Sequence, residues 1–300
     1  MITDRFRKVE KEDFPLIGEY LAKAHYHEAN HNLINMAIWL DLYPLYSYRE
    51  DDFLLLAGIH EGSYFLYMPL CEKQYFLKAV NKAEELMADC HLTFYMSCFT
   101  KEYVELLQET HSHLTVKEIP VSADYIYEAE SLRTFKGKKM QKKRNHYNNF
   151  IKNVSYRYEE LSSSNLEELK QFVLSLKPEG EFLECEQRGI LRLLEWRDVL
   201  PYECGMIKIS DKISAFIIAS SLSPVMAQEN VEKADKKIPG LPQAMIHEFF
   251  NHHFTDVTYI NREDDMGLEN LRQSKMSYNP CFMISKYSLI DHDSRSATKR

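Results

Sequence analysis

Nine lysines and arginines, and no aspartate or glutamate, fall between Ser131 and Tyr158 of a chain whose net charge is −8. Of its 37 basic residues, 28 therefore lie elsewhere, against 45 acidic ones. Positive charge gathered at one place on so acidic a background raises the local potential and suits a phosphate-bearing ligand. At about 100° per residue, Met140, Tyr147, Phe150, Ile151 and Val154 share one apolar arc. Lys138, Lys142, Asn145 and Asn149 line the opposite side, with Lys139 and His146 beside them and Arg144 in the same run. Lys143 falls by angle on the apolar arc, so it snorkels, pairs with an acid or serves a pocket. A plain solvated basic helix accounts for the charge run equally well.

A second polar stretch runs from Asn261 to Tyr278. Here a strand ends at Asn261 and a helix is expected over Asp264–Ser277. Its acids occupy the first turn, and Arg272 and Lys275 lie near the far end, as the helix dipole favours. That order leaves Lys275 unexplained, because it shares an arc with Leu268, Leu271 and Tyr278. A lysine on a packed face pairs with a buried acid or lines a pocket. Gly267 inside the first turns costs about 1 kcal/mol relative to alanine, which fits close approach of a ligand or of backbone.

The elements that position these stretches are legible as two similar runs. In the second half, Ser162–Asn165 precedes a helix to about Leu176, and a further helix covers Glu184–Arg197. Two β-rich runs flank Ser210-Asp-Lys212 as a hairpin. A strand at Val225–Val231, a Lys-rich loop to Gly240, a helix at Pro242–His252 and a strand at Asp256–Asn261 follow. The helix from Asp264 and a closing strand at Phe282–Leu289 complete the half. The first half repeats this order faintly. It has a helix over Lys11–Asn30 and strands at Leu45–Tyr48, Phe53–His60 and Ser63–Met68. A helix at Glu72–Asp89, a strand at His91–Ser97, a helix at Lys101–Thr110 and a strand at His113–Glu118 follow. Nothing repeats residue by residue, so the duplication is architectural. The expected fold is α/β with mixed sheets in two related domains, 1–130 and 159–290. A basic connecting helix at 131–158 joins them, and a flexible tail follows at 291–300.

Composition narrows the function. With 45% hydrophobic and 12% aromatic residues, 300 residues can build two packed cores. No apolar run approaches the roughly 18–20 residues of a membrane span, and the opening Met-Ile-Thr-Asp-Arg-Phe-Arg-Lys lacks the apolar segment of a secretory signal. Six scattered cysteines form no Cys-x-x-Cys pair. A cytoplasmic protein without membrane insertion is the expectation. The acidic balance argues against general nucleic-acid coating but leaves room for one phosphate-rich ligand. His27 and His31 would share a helical face, yet with Glu28 they lack a third well-placed ligand, so no metal is expected. Neither Gly-x-Ser-x-Gly nor a P-loop occurs.

Three segments carry a family resemblance: Asp124-Tyr-Ile-Tyr…Leu132…Phe135-Lys-Gly-Lys-Lys-Met-Gln-Lys-Lys-Arg-Asn-His146, Glu232-Lys-Ala-Asp…Gly240-Leu-Pro-Gln243, and Asn261 through Pro280. Together they resemble the family similar to the C-terminal part of phosphatidylglycerol lysyltransferase, most strongly over about 124–150 and 228–280. The resemblance implies two tandem GNAT-like (acyl-CoA N-acyltransferase-like) domains. It also implies transfer of an aminoacyl group from aminoacyl-tRNA, or of an acyl group from acyl-CoA, to an amine or hydroxyl acceptor. tRNA is then the expected partner, a small molecule or peptide the acceptor, and no cofactor is permanently bound. The missing membrane spans weaken the case for a lipid acceptor.

The resemblance also suggests roles. Such folds receive a pyrophosphate where the loop ending in Gly240 meets the next helix, with Lys233 and Gln243 nearby, although no Gly-x-Gly is present and a capped helix after a surface loop explains the pattern too. Glu229 or Glu232 is the candidate base and Tyr278 the candidate acid for the leaving group. A paired structural glutamate and a core-edge tyrosine remain alternatives. Asn261, Arg262, Glu263, Asp264, Gly267, Arg272 and Lys275 would border the cleft. A non-catalytic tandem domain that binds RNA or an anionic metabolite is the alternative to an enzyme.

Overall fold

Phe53–His60 is a nearly unbroken apolar run, and it forms a central strand of the first of two sheets. The computed structural model describes residues 2–291. These divide into one unit of residues 2–123 with 284–291 and another of 124–283.

The first unit opens with β1 (Arg7–Lys8), α1 (Phe14–Ala24) and α2 (Leu33–Ile38). Four strands follow, β2 (Leu45–Arg49), β3 (Phe53–His60), β4 (Ser63–Tyr67) and β5 (Leu70–Cys71). Then come α3 (Phe76–Asp89), β6 (Tyr95–Phe99), α4 (Lys101–Gln108) and β7 (Leu114–Glu118). Strands β1 to β4 are antiparallel neighbours, and the α3 crossover sets β6 parallel to β4, with Leu66 opposite Met96 and Tyr67 opposite Ser97.

The second unit starts with β8 (Asp124–Glu128), α5 (Ala129–Thr134), α6 (Gln141–Asn153) and β9 (Arg157–Glu160). Helices α7 (Leu166–Ser175) and α8 (Glu181–Glu195) precede β10 (Glu203–Ile209), β11 (Lys212–Ser223) and β12 (Met226–Ala234). The unit ends with α9 (Leu241–His252), β13 (Tyr259–Asn261), α10 (Glu269–Met276) and β14 (Phe282–Ile284). Its sheet runs β14-β8-β13-β12-β11-β10-β9. The β10–β11 hairpin turns on Ser210 and Asp211, at φ of 50° and 63°, the paired left-handed geometry of tight hairpins. The chain's last strand, β15 (Tyr287–Asp291), belongs to the first unit, where it lies between β6 and β7.

Helices α5, α6 and α9 share one face of the second sheet. Leu132, Phe135, Phe150, Met245 and Phe249 pack there with Ile217, Ala227 and Ile260. Each fully buried side chain of this size contributes about 1.5–3 kcal/mol. Helix α7 lies on the other face, its Phe172 ring edge-on to Phe216 at 6.0 Å.

Mixed α/β architecture in two similar units is what the sequence predicts, but the boundaries differ. β8 is hydrogen-bonded to β13, so 124–130 belongs to the second unit and not to 1–130. The basic segment is part of the second unit's core, not a link at 131–158. Phe135 (φ 48°) and Gly137 (φ 86°) break it into two helices, and the Arg144 guanidinium donates to the Phe135 and Gly137 carbonyls across the break. Its end forms part of β9, which periodicity did not reveal. The closing strand predicted at Phe282–Leu289 is two strands in different sheets. Of the expected 291–300 tail, Asp291 closes β15 and the remainder lies outside the described residues.

Candidate active site

A local irregularity in β12 creates the site. Glu229 and Glu232 are three residues apart, a spacing that would send them to opposite faces of a regular strand. Against β11, however, Glu229 is opposite Ala219 and Val231 opposite Ile218, so Asn230 is an inserted bulge residue. The bulge re-aims the strand and brings both carboxylates to one guanidinium. Arg262 donates from Nε to Glu229 Oε1 at 2.8 Å and from its terminal nitrogen to Glu232 Oε2. Arg262 is 8% exposed, Glu229 7%, and the Glu232 side chain 21%.

Strand divergence supplies the opening. β13 pairs in parallel with β12 only from Met226/Tyr259 to Gln228/Asn261. Beyond that point the chain stays with β8, the Arg262 N–H donating to the Tyr125 carbonyl and the Tyr125 N–H to the Glu263 carbonyl. Asn261 enforces the departure. Its side chain donates to Asp124 at 3.1 Å and accepts the Glu263 N–H at 2.8 Å, holding Glu263 at a φ of 60°. Glu229 and Glu232 therefore lie on the part of β12 that β13 has left.

The basic helix reaches this array through one residue. Lys143 Nζ sits 3.6 Å from the Tyr278 ring centroid, and the Arg262 guanidinium carbon lies 4.9 Å from the same ring. Both are cation–π distances. Gln243, from the first turns of α9, donates to the Tyr278 hydroxyl at 2.7 Å. Burial pushes the Glu232 carboxyl up to about 7, against the pull of Arg262 and with a further push from Glu229. Burial, helped by repulsion from Arg262 and opposed by Glu232, brings the Lys143 ammonium down to about 8. Burial raises the Tyr278 hydroxyl, so it holds its proton firmly. An acid and an amine, both displaced towards neutrality, thus share one partly buried place, an arrangement suited to proton transfer at physiological pH.

Other residues singled out in the sequence do different work. Lys233 projects to the opposite face of the sheet and meets Glu186 of α8 at 2.6 Å; it is paired with Phe216, which packs against α7. Gly240 (φ 86°) does permit close approach, but the His146 carbonyl and Phe150 already take the space. A Cβ there would lie 2.4 Å from the His146 oxygen, so the glycine lets α9 cross α6. Lys275 donates to the carbonyls of Arg262 and Asp264 and fastens the turn. Leu268 is 49% exposed, so the expected packed arc does not form there.

That arc fails because α10 begins at Glu269 rather than Asp264. Asp264 and Asp265 accept the N–H groups of Met266 and Gly267, and those two residues are left-handed at 50° and 72°. Arg272 serves Asp265, whose carboxyl its hydrogen bond holds down at about 2. Glu263 receives Gln228 at 2.7 Å. Lys138, Lys142, Asn145 and His146 are exposed on α6 or just before it. Tyr127 was missed as a site residue. Its ring lies 5.7 Å from the Arg262 guanidinium, and its hydroxyl donates to the Lys275 carbonyl. The alternation Tyr125-Ile-Tyr127 in a strand, which points both rings to one face, was the signal for it.

The second unit is thus a mixed α/β domain in which strand divergence beside a parallel pair leaves an acid–cation array in the opening. The chain belongs to the family described as phosphatidylglycerol lysyltransferase, C-terminal, whose sequence model matches residues 22–290. A conserved protein of unknown function from Bacteroides thetaiotaomicron has a similar structure, with a TM-score of 0.87 and 26% identity over 95% of this chain and 98% of that one. L-PGS from Bacillus licheniformis shares the fold at a TM-score of 0.69 and 15% identity, over 98% and 99% of the two chains. An uncharacterised protein of Mycoplasmoides gallisepticum is 29% identical over 178 residues, which span 55% of each protein. The chain thus matches about half the length of that curated relative. Among the described residues no helix is long and apolar enough to cross a membrane.

Proposed function

We propose that the second unit is an aminoacyltransferase that moves an aminoacyl group from aminoacyl-tRNA to an amine or hydroxyl acceptor. The observation that carries this reading is Lys143. It lies on the same helix as an exposed cationic face and also sits over Tyr278 beside the Glu229–Arg262–Glu232 array. Among the described residues Lys138, Lys139 and Lys142 are exposed and make no ion pair, so their charge is available to phosphates. An extended nucleic-acid backbone suits such a face. A compact pyrophosphate is less well served, because Gly240 is occupied by α6.

In this reading the ionised Glu232 takes a proton from the acceptor amine or hydroxyl as its lone pair attacks the ester carbonyl. The Lys143 ammonium steadies the tetrahedral oxyanion and gives its proton to the departing ribose oxygen. The C–O ester bond breaks as the new C–N or C–O bond forms, and a proton passing from Glu232 to Lys143 resets the site. Arg262 holds both carboxylates in place. Tyr278, with its proton tightly held, is a platform for the two cations rather than the acid. Incubation with a charged-tRNA pool and candidate acceptors, read by mass spectrometry of the products, tests the proposal. Transfer that disappears in Lys143→Met and Glu232→Gln is the expected result; a wild-type protein inert towards every charged tRNA would remove it.

A further inference from the structure

Helices α6 and α9 carry a row of rings away from the array. Lys143 and Gln243 both reach Tyr278. One turn further along each helix, Tyr147 stacks on His247, with ring centroids 4.2 Å apart and planes 21° from parallel. Nearer the end of α9, His252 stacks on Tyr158 of β9 in the same way, at 4.3 Å and 21°. At 1.5 Å per residue, Gln243, His247 and His252 mark steps of about 6 and 7.5 Å along the helix. Both tyrosines lie over the core that Phe135, Phe150 and Phe249 close, not within it. The His247 and His252 side chains are 25% and 45% exposed. The rings are held in place, since Tyr147 packs against Phe135 at 6.2 Å and a Cβ at Gly205 would collide with the Tyr158 hydroxyl. Glu248, the acid between the two histidines, is turned to the Tyr156 hydroxyl, which donates to it at 2.6 Å. Burial holds the His247 imidazole below its ordinary pKa, against the pull of Glu248, so it stacks uncharged at neutral pH. On α6, Lys142, Arg144 and Lys152 make no ion pair among the described residues.

We infer that these two stacked pairs are platforms for unpaired bases of the donor nucleic acid. The inference rests on the aminoacyl-tRNA reading and deepens it. An aminoacyl ester is carried on the ribose of an unpaired 3′ end, so a carbonyl seated between Glu232 and Lys143 obliges the preceding nucleotides to leave along a path. The seam of α6 and α9 offers that path flat π-faces, with cations on α6 for the backbone. Every base has a π-face, so such platforms hold a single strand without reading its sequence, whereas bases stacked inside a duplex cannot use them. Rings already fixed by their neighbours lose little freedom on binding.

Fluorescence anisotropy of the full chain with two uncharged RNAs tests this. One is a short labelled single strand with the sequence of a tRNA 3′ end, the other a blunt duplex with the same number of phosphates. The single strand should bind about tenfold or more tightly. Tyr147→Leu and His252→Leu should each weaken its binding by about 5–100-fold. Neither should change the dependence on salt, because no phosphate contact is lost. Tyr147→Phe, which keeps the ring, should bind as the unaltered protein does. Should Tyr147→Leu not fold, His252→Leu at its more exposed position decides. Equal binding of strand and duplex, no binding of either, or unchanged affinity in a folded leucine variant overturns the inference. Transfer from charged tRNA that persists beside such a result would leave the transferase reading standing. A ring-dependent preference for the single strand without any transfer would instead remove that reading alone.

Discussion

In both units a parallel strand docks beside the third long antiparallel strand for only two or three residues and then departs. What fills the gap differs. In the first unit the chain turns after β4, and its own side chains meet the exposed carbonyls. His31 Nε2 lies 3.1 Å from the Met68 oxygen, and the Tyr26 hydroxyl donates to Pro69. Tyr26 packs edge-on against His31 and Tyr103 at 5.0 and 5.1 Å. Glu28, fully buried, contacts His31. The 25–31 segment is thus a stopper for the first opening. In the second unit the equivalent opening holds Arg262, Glu229, Glu232 and Lys143. One topology therefore yields an aromatic core or a buried acid–cation array, depending on whether a loop contributes rings or a bulge contributes carboxylates.

The sharpest test of that contrast is Glu232→Gln. Loss of a general base lowers turnover by about 10²–10⁴-fold. The wild-type rate of aminoacyl transfer should rise with pH through about 7, as Glu232 loses its proton, and fall above about 8, as Lys143 loses its own. The variant should lack the rising limb; an unchanged profile would take the base away from Glu232. Arg262→Met comes next. It strands two carboxylates, one of them almost wholly buried, and should cost about 3–5 kcal/mol in urea unfolding. His31→Leu should cost about 1–3 kcal/mol by leaving Glu28 without its partner, yet leave the kcat of transfer unaltered. A parallel fall in kcat would mean that the first opening is not merely sealed.

Much of this contrast could be read from the residues. Lys143 stood out because a cation fell on an apolar arc, and part of that arc holds: Met140 and Phe150 are buried, whereas Ile151 is 43% exposed. Glu229 and Glu232 were visible as candidates, but their convergence depends on the Asn230 bulge, and a strand's sequence does not announce an inserted residue. The start of α10 was misplaced because Asp264 and Asp265 suit a helix's first turn electrostatically. Their side chains instead capture N–H groups two residues on, a local competition that periodicity does not register. Gly240 stood out as the end of the loop that a ligand would approach. Whether a ligand or the protein's own helix does the approaching is a tertiary fact. Sealing of the first unit was illegible for the same reason, since Tyr26 and His31 meet carbonyls roughly forty residues away.

The smallest effect concerns the surface that links the second opening to a donor. Lys138 and Lys142 are exposed, so Lys138→Glu with Lys142→Glu should change stability by no more than about 0.5 kcal/mol. If α6 holds a phosphate backbone, the double variant should bind tRNA about tenfold less tightly at moderate salt. It should also flatten the dependence of log affinity on log salt by about 1.4–1.8, since each lost phosphate contact removes about 0.7–0.9 from the slope. Filter retention of labelled tRNA across a salt series measures both quantities. Unchanged affinity and slope would detach the RNA from α6 and leave the buried array in need of a different donor.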